Sequence, residues 1–300
     1  MMRLPNRSAK VQVLQRPFLP QGCDREASAS VIPWSPFRRD EALVDLALDH
    51  YQHALSQAGR GRAFIESRGL LSEEAIRTFR LGFADRTLGK RLRKLRSEEE
   101  EEIARGALQR AGLLKPSGHE LFRGAVIFPF ADRTGRITGG YGRLVTPKLK
   151  SGSHYHVHWL ASDGPLIFNQ EVLGQYDALI WCKSPLEALT WWVSGFTNVF
   201  STLGYLRISA ATLAAISVAR PDTVFLAFGN TREERKAARH WAKELRGYEI
   251  NCRQVVFPPN DDANSFYRAS SNPVTGLAAL LETAKPTRSS SRRHRRPDRG

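Results

Sequence analysis

Residues 178–194 read ALIWCKSPLEALTWWVS, an apolar run that breaks at Lys183-Ser184-Pro185 and resumes at helical spacing. A run of five apolar residues suits a strand buried on both faces. Ser before Pro marks a helix start, because proline tolerates the first turn, where its missing N–H costs nothing. The same strand-then-helix grammar continues outward. Strands are expected at 166–168, 198–201, 223–228 and 252–257, and helices at 185–194, 209–218, 231–246, 263–269 and 275–284. Strands alternating with helices predict a mainly parallel α/β sheet, Rossmann-like in layout.

The chain before residue 160 follows a different grammar. Residues 40–56 carry an apolar helical face, and short helices are expected at 62–67 and 73–79, the second capped by Ser72. Residues 86–96 are basic, with Leu88, Leu92 and Leu95 at helical spacing, and Ser97 precedes five glutamates that suit a helix N-terminus. Residues 125–130 and 136–143 read as two strands joined by a turn at Asp132-Thr134-Gly135. The expected fold is an α+β N-terminal half joined to an α/β half. The expected divisions are an irregular arm at 1–40, an α+β unit at 41–160, the α/β unit at 161–285 and a basic, disordered tail at 286–300.

Composition bounds the function. Of 300 residues, 41% are hydrophobic and 25% charged, ordinary values for a globular chain. There are 45 Lys and Arg against 30 Asp and Glu, a net charge of +15, which points to an anionic partner such as nucleic acid. Lys285–Gly300 contributes seven basic residues and one acid, so the body stays basic without it. Cys23, Cys182 and Cys252 lie far apart, which argues against a structural zinc site and suits a reducing compartment. The first residues, MMRLPNRSAK, lack the apolar core of a secretory signal, and no apolar run is long enough to span a bilayer. A cytoplasmic protein with no membrane role is expected.

The local words narrow this further. AFIESRGLLSEEAIRTFRLGFADRTLGKRL (63–92), LLKPSGHELFRGAVIFPFADRTGRITGGYGR (113–143), IWCKSPLEALTWWVSGFTNVFSTLG (180–204), VFLAFGNTREERKAARHWAKEL (224–245) and VVFPPNDDANSFY (255–267) follow one another in order. Together they resemble the catalytic core of DnaG-type primases, whose α/β half is a toprim domain. The nearer resemblance is to the primase-like toprim proteins of plasmids, phages and integrative elements.

That resemblance implies a Mg²⁺ site: a Glu ending the first toprim strand, an acid four residues on, and an Asp-x-Asp motif after a later strand. This chain departs from it. The Glu position holds Lys183, and the two Asp positions hold Gly229 and Thr231. Glu187 keeps the second acid of the first motif, and Asp261 and Asp262 remain near the third strand end. Mg²⁺ takes hard oxygen ligands, which an ammonium cannot supply. Lys183 therefore reads either as a direct phosphate contact or as an exposed lysine without a role. Glu233 and Glu234 follow in the helix and are expected to point elsewhere. The zinc-binding module that precedes the core in the family has no counterpart in residues 1–40, which hold one Cys and no His.

The resemblance also places a basic ridge for the template at Arg123 and Arg143, with Lys148 and Lys150 on the next loop. Each reads alternatively as ordinary surface charge. His154, His156 and His158 would share a strand face but have no acidic or Cys partner nearby in sequence, and Trp181, Trp191 and Trp192 read as core. Three functions follow. The first is a primase-like protein that binds nucleic acid, single-stranded DNA above all, in the replication or maintenance of a mobile element, without metal-dependent catalysis and with no cofactor. The second is an active RNA primase using Glu187, Asp261 and Asp262 with Mg²⁺. The third is an interaction module of a replication or defence complex. A helicase is the protein partner the resemblance suggests.

Overall fold

The computed structural model describes residues 36–149, 154–204 and 208–287. The arm before residue 36, Cys23, Lys150 and the basic stretch from 288 onward lie outside them.

The N-terminal half begins with α1 (Pro36–Ser56), α2 (Arg60–Ser67) and α3 (Glu73–Thr78). Ser72 caps α3 by accepting from Ala75 N at 3.2 Å. A two-residue strand β1 (Gly82–Phe83) and α4 (Leu88–Leu92) follow. In α5 (Glu98–Arg110), Ser97 accepts from Glu100 N and four glutamates fill the first turn, where they offset the helix dipole. The strands β2 (Ala125–Ala131), β3 (Ile137–Leu144) and β4 (His156–Leu160) complete an antiparallel sheet in the order β1-β2-β3-β4.

The second half contains β5 (Ile167–Phe168), β6 (Ala178–Cys182), α6 (Pro185–Val193), β7 (Val199–Thr202), α7 (Ala210–Ala219) and β8 (Thr223–Ala227). It closes with α8 (Arg232–Arg246), β9 (Asn251–Gln254), α9 (Ala263–Ala269), α10 (Pro273–Glu282) and β10 (Lys285–Pro286). The sheet order is β10-β9-β8-β6-β7-β5. The inner pairings β6·β7, β6·β8 and β8·β9 are parallel, while β5 and β10 pair antiparallel at the two edges. The sheet is thus mixed, with a parallel centre.

Period-two alternation places both faces of the central strands in a core. Leu179 and Trp181 of β6, with Val224 and Leu226 of β8, pack beneath α8 beside Trp241 and Leu245. Ile180, Cys182, Phe225 and Ala227 face the other way, into a core shared with Trp191 and Ala188 of α6. That second core also contains Ile65, Phe83, Val126, Phe128 and Phe130 from the first half. One continuous apolar layer therefore crosses residue 160 and fixes the two sheets against each other. A separate cluster (Leu48, Leu108, Phe122, Ile127) buries the other face of the first sheet under α1 and α5.

Several elements were not foreshadowed, the 3₁₀ turn at Gln170–Val172 among them. Strands β1 and β10 are two residues each, too short for any periodicity, and they exist through pairing with β2 and β9. The chain stays folded through Thr287, whose hydroxyl donates to Cys252 O at 3.0 Å, while Arg253 donates to Ala284 O. The strand expected at 252–257 leaves the sheet after Gln254, with Val255 N still donating to Leu226 O at 3.1 Å. Pro258 and Pro259, which offer no N–H, then turn the chain toward Asp261 and Asp262.

Candidate nucleic-acid interface and the carboxylate cluster beside it

Lys183 is the first residue past β6, at the carboxyl end of the parallel strands where open α/β sheets gather functional groups. Its ammonium sits among three carboxylates. It donates to Glu234 Oε1, lies 3.4 Å from Glu187 Oε1 and 3.5 Å from Asp262 Oδ2. The surroundings are dry: the side chains of Glu187 and Glu234 are 3% and 6% exposed, that of Lys183 20%.

Each carboxylate arrives by a local rule. Glu187 is one turn into α6, where Pro185 opens the helix, and its Oε1 accepts from Ser184 Oγ at 3.2 Å. Asp262 is the N-cap of α9 and accepts from Ser265 N at 2.9 Å, leaving its second oxygen for Lys183. Glu234 is the third residue of α8 and closes a capping box. Thr231 Oγ1 accepts from Glu234 N (3.3 Å), and Glu234 Oε2 accepts from Thr231 N (2.8 Å).

The capping box corrects the expectation for Glu234. A glutamate at the third helical position reaches back to the cap, so its carboxylate returns to the loop after β8. Glu233 is exposed, as its neighbouring position on the helix requires. Gly229 makes room for the returning carboxylate. Its φ is +104°, and a Cβ added there would lie 2.5 Å from Glu234 Oε2. Glu234 thus fills the space a side chain at 229 would occupy. The signal was present in Thr231-Arg232-Glu233-Glu234, a capping-box sequence.

Asp261 plays another part: its backbone carbonyl accepts from Asn230 N at 3.0 Å. Of the adjacent pair, Asp262 is the one whose carboxylate reaches Lys183. Burial pushes the Glu187 carboxyl well above the ordinary carboxylate range, and Lys183 counters this only in part. Burial alone would lower the Lys183 pKa, but Glu187, the hydrogen bond to Glu234 and the charge of Asp262 outweigh it and raise it. Both shifts keep protons in the cluster. The donor set does not fit Mg²⁺: an ammonium stands where oxygen ligands would have to converge. Among the described residues, no three His, Cys, Asp or Glu side chains are arranged to hold a metal ion.

Next to this cluster lies a groove of ≈ 600 Å³ between α2, the segment after β3, and α9. Arg60, Arg68, Arg143 and Arg268 line it, and no acidic residue does. Some arginines elsewhere are paired, Arg80 with Asp45 and Asp49, Arg110 with Asp40 and Arg105 with Glu101, while others such as Arg91, Arg93 and Arg232 are solvated without an ion pair among the described residues. The groove arginines have no carboxylate within ion-pair distance among the described residues. Burial and the nearby charges of Arg143 and Arg268 pull the Arg68 guanidinium below its ordinary value, and the charge of Asp262 offsets this only in part.

Aromatic rings interleave with these cations. The Arg143 guanidinium stands 4.2 Å above the Tyr155 ring and that of Arg68 5.2 Å from the Phe64 ring. Arg68 is anchored through Asn264, which is 2% exposed: Arg68 Nη1 donates to Asn264 Oδ1 (3.4 Å), and Asn264 Nδ2 donates to Arg68 O (3.1 Å) and Thr190 Oγ1 (3.1 Å). This ties α2 to α6 and α9. Tyr141, whose hydroxyl is 2.7 Å from His156 Nδ1, has its pKa raised by burial and feels the charges of both the groove arginines Arg143 and Arg68 and the cluster residues Glu187 and Lys183. Groove and cluster are therefore neighbours.

The sequence candidates separate in space. Arg143 is in the groove. Lys148 is exposed just past Pro147, one of the groove's lining residues. Arg123 is exposed and does not line the groove, although Gly124 O, next to it, accepts from Val145 N at 2.9 Å. Arg60, Arg68 and Arg268 were missed, because Arg60 and Arg68 begin and cap one short helix while Arg268 comes from α9, far along the chain. Trp181 and Trp191 are fully buried, and the Trp192 ring lies 5.2 Å from Phe79.

The arrangement of an antiparallel sheet packed on a mixed α/β sheet is shared with solved primase catalytic cores. Residues 50–168 match the family described as DNA primase catalytic core, N-terminal domain. The chain is 26% identical over 261 residues to a DNA primase of Salmonella typhimurium, a match covering 79% of this chain and 42% of that one. The Aquifex aeolicus primase (zinc-binding and RNA polymerase domains) superposes with a TM-score of 0.70 at 19% identity, over 84% of this chain and 62% of that one. A DnaG primase catalytic domain bound to ssDNA superposes at 0.66 and 23% identity, over 84% and 83%. The chain therefore spans less than half the length of the curated relative. No helix among the described residues is long and apolar enough to cross a membrane.

Proposed function

We propose that this chain is a primase-like protein that binds single-stranded nucleic acid, DNA first, in the arginine groove, and does so without metal-dependent nucleotidyl transfer. The observation that carries the reading is the set of groove arginines without acidic partners, interleaved with Tyr155 and Phe64. Phosphates supply the missing counter-charges, and the half-buried Tyr155 and Phe64 rings with their guanidiniums offer faces on which bases stack without demanding a sequence. The likeness to a primase domain bound to ssDNA supports the same polymer. Loss of metal chemistry is supported by Lys183, whose ammonium stands among the carboxylates. Work on a mobile element, alongside a replication helicase, carries over from the sequence resemblance.

Fluorescence anisotropy with a labelled oligo-dT tests the reading. The full chain binds, and the double variant Arg68→Ala/Arg143→Ala binds roughly tenfold or more weakly, the loss expected for two phosphate and stacking contacts. Equal binding by the double variant would move the DNA off the groove and end the proposal.

A further inference from the structure

The feature that nucleic-acid binding leaves unexplained is the buried cluster itself. Three carboxylates converge on one ammonium, so the site keeps an excess of negative charge, with Glu187 and Glu234 buried and Asp262 partly exposed. Glu187 is 2% exposed, and its Oε2 has no hydrogen-bond partner. Burying carboxylates this way is costly unless a cation or a proton accompanies them. The carboxylate of Glu234 is brought in by the capping box and accommodated by Gly229, whose missing side chain leaves it room.

We propose that Lys183 is a built-in cation: its ammonium does the work of a divalent ion, holding Glu187, Glu234 and Asp262 together and shutting metal out, and removing it opens a divalent-cation site on those three carboxylates. An ammonium can replace a metal's charge in part and can hold several oxygens by hydrogen bonds, but it cannot polarise a phosphate as a Lewis acid. The cluster thus stays assembled without any metal. With the ammonium present, the three acids are not arranged to hold a metal ion. Without it, nothing separates them, and their mutual repulsion favours a hard cation that takes oxygen ligands. The inference stands apart from the DNA reading, and its test contains no DNA.

The experiment is Mn²⁺ binding to the full chain, read as the loss of the free-Mn²⁺ electron paramagnetic resonance signal. Wild type is expected to take up no stoichiometric ion. Lys183→Ala is expected to bind one Mn²⁺ at least about tenfold more tightly than wild type, and Lys183→Ala/Glu234→Gln to lose most of that gain. The bound ion should also raise the melting temperature of Lys183→Ala by about 5 °C at a hundredfold excess over its dissociation constant, leaving wild type unmoved. Lys183→Gln, which keeps the length of the side chain but not its charge, runs the same titration if the alanine variant does not fold. A wild-type Mn²⁺ site abolished by Glu234→Gln would overturn the proposal, because the ammonium would not be excluding metal. So would neutral variants at 183 that bind Mn²⁺ no more tightly than wild type.

Discussion

Substituting Arg143 by alanine should change how DNA binding responds to salt by a calculable amount. Each cation that neutralises a phosphate of a single strand adds about 0.7 to the log–log salt slope. The groove offers Arg60, Arg68, Arg143 and Arg268, so its share of the slope is near −2.8. Raising salt fourfold, from 50 to 200 mM, then costs about 50-fold in affinity through the groove alone. Three arginines leave a share near −2.1 and a loss of about 18-fold. The advantage of wild type over Arg143→Ala should therefore shrink about 2.6-fold across that range. Cations outside the groove add to both slopes equally, so the difference is the quantity to read. The assay is anisotropy with labelled oligo-dT at four or more salt concentrations. Arg110→Ala is the control, because Arg110 already has Asp40 at 2.8 Å. Parallel lines for wild type and Arg143→Ala would refute the reasoning: Arg143 would then neutralise no phosphate.

Other expectations follow from the same geometry. Gly229→Ala forces a Cβ onto the Glu234 carboxylate at a left-handed backbone position, so it should lower stability by about 2 kcal/mol or more in urea denaturation. Glu234→Ala should relieve part of that loss, leaving only the backbone strain. Glu187 holds its proton more tightly folded than unfolded, so the stability it contributes is full below its unfolded pKa and is lost as pH rises through its raised folded value. Glu187→Gln, which cannot ionise, should gain on wild type in urea denaturation between pH 5 and pH 8; a gap that stays constant across that range would mean Lys183 keeps Glu187 ionised throughout. Deleting residues 288–300 removes six Lys and Arg with one Asp and should flatten the salt slope of DNA binding; an unchanged slope would place all the binding in the folded body.

Most of the strand-helix alternation after residue 160 was legible because the inner strands and the helices are long enough to show their period. Ala178–Cys182 and Ala263–Ala269 fall where the pattern puts them. The two-residue strands at 82–83 and 285–286 were not legible, since only their partners make them strands. The site divides in the same way. That Lys183, Gly229 and Thr231 stand where acids were expected follows only from the resemblance, not from the spacing itself. That Lys183 would be enclosed by carboxylates could not, because the acids come from α6, α8 and α9, far apart in sequence. Glu234 was misread by treating a helix residue as pointing away from the strand end, when a glutamate three residues after a threonine cap turns back. The groove was read through Arg143 only. Arg60, Arg68 and Arg268 join it by folding, and Asn264, reaching Arg68 across 196 residues, helps fix the arrangement.

The central claim is a primase-like core that holds single-stranded DNA with no metal in its carboxylate cluster. Its most direct test is one titration of the full chain with labelled oligo-dT, run in parallel with EDTA and with Mg²⁺ or Mn²⁺ at one ionic strength, with ribonucleotide incorporation followed in the same tubes. Equal affinity with metal and with chelator, and no incorporated nucleotide, is the expected result. Affinity that collapses in EDTA, or primer synthesis that appears with metal, would contradict it.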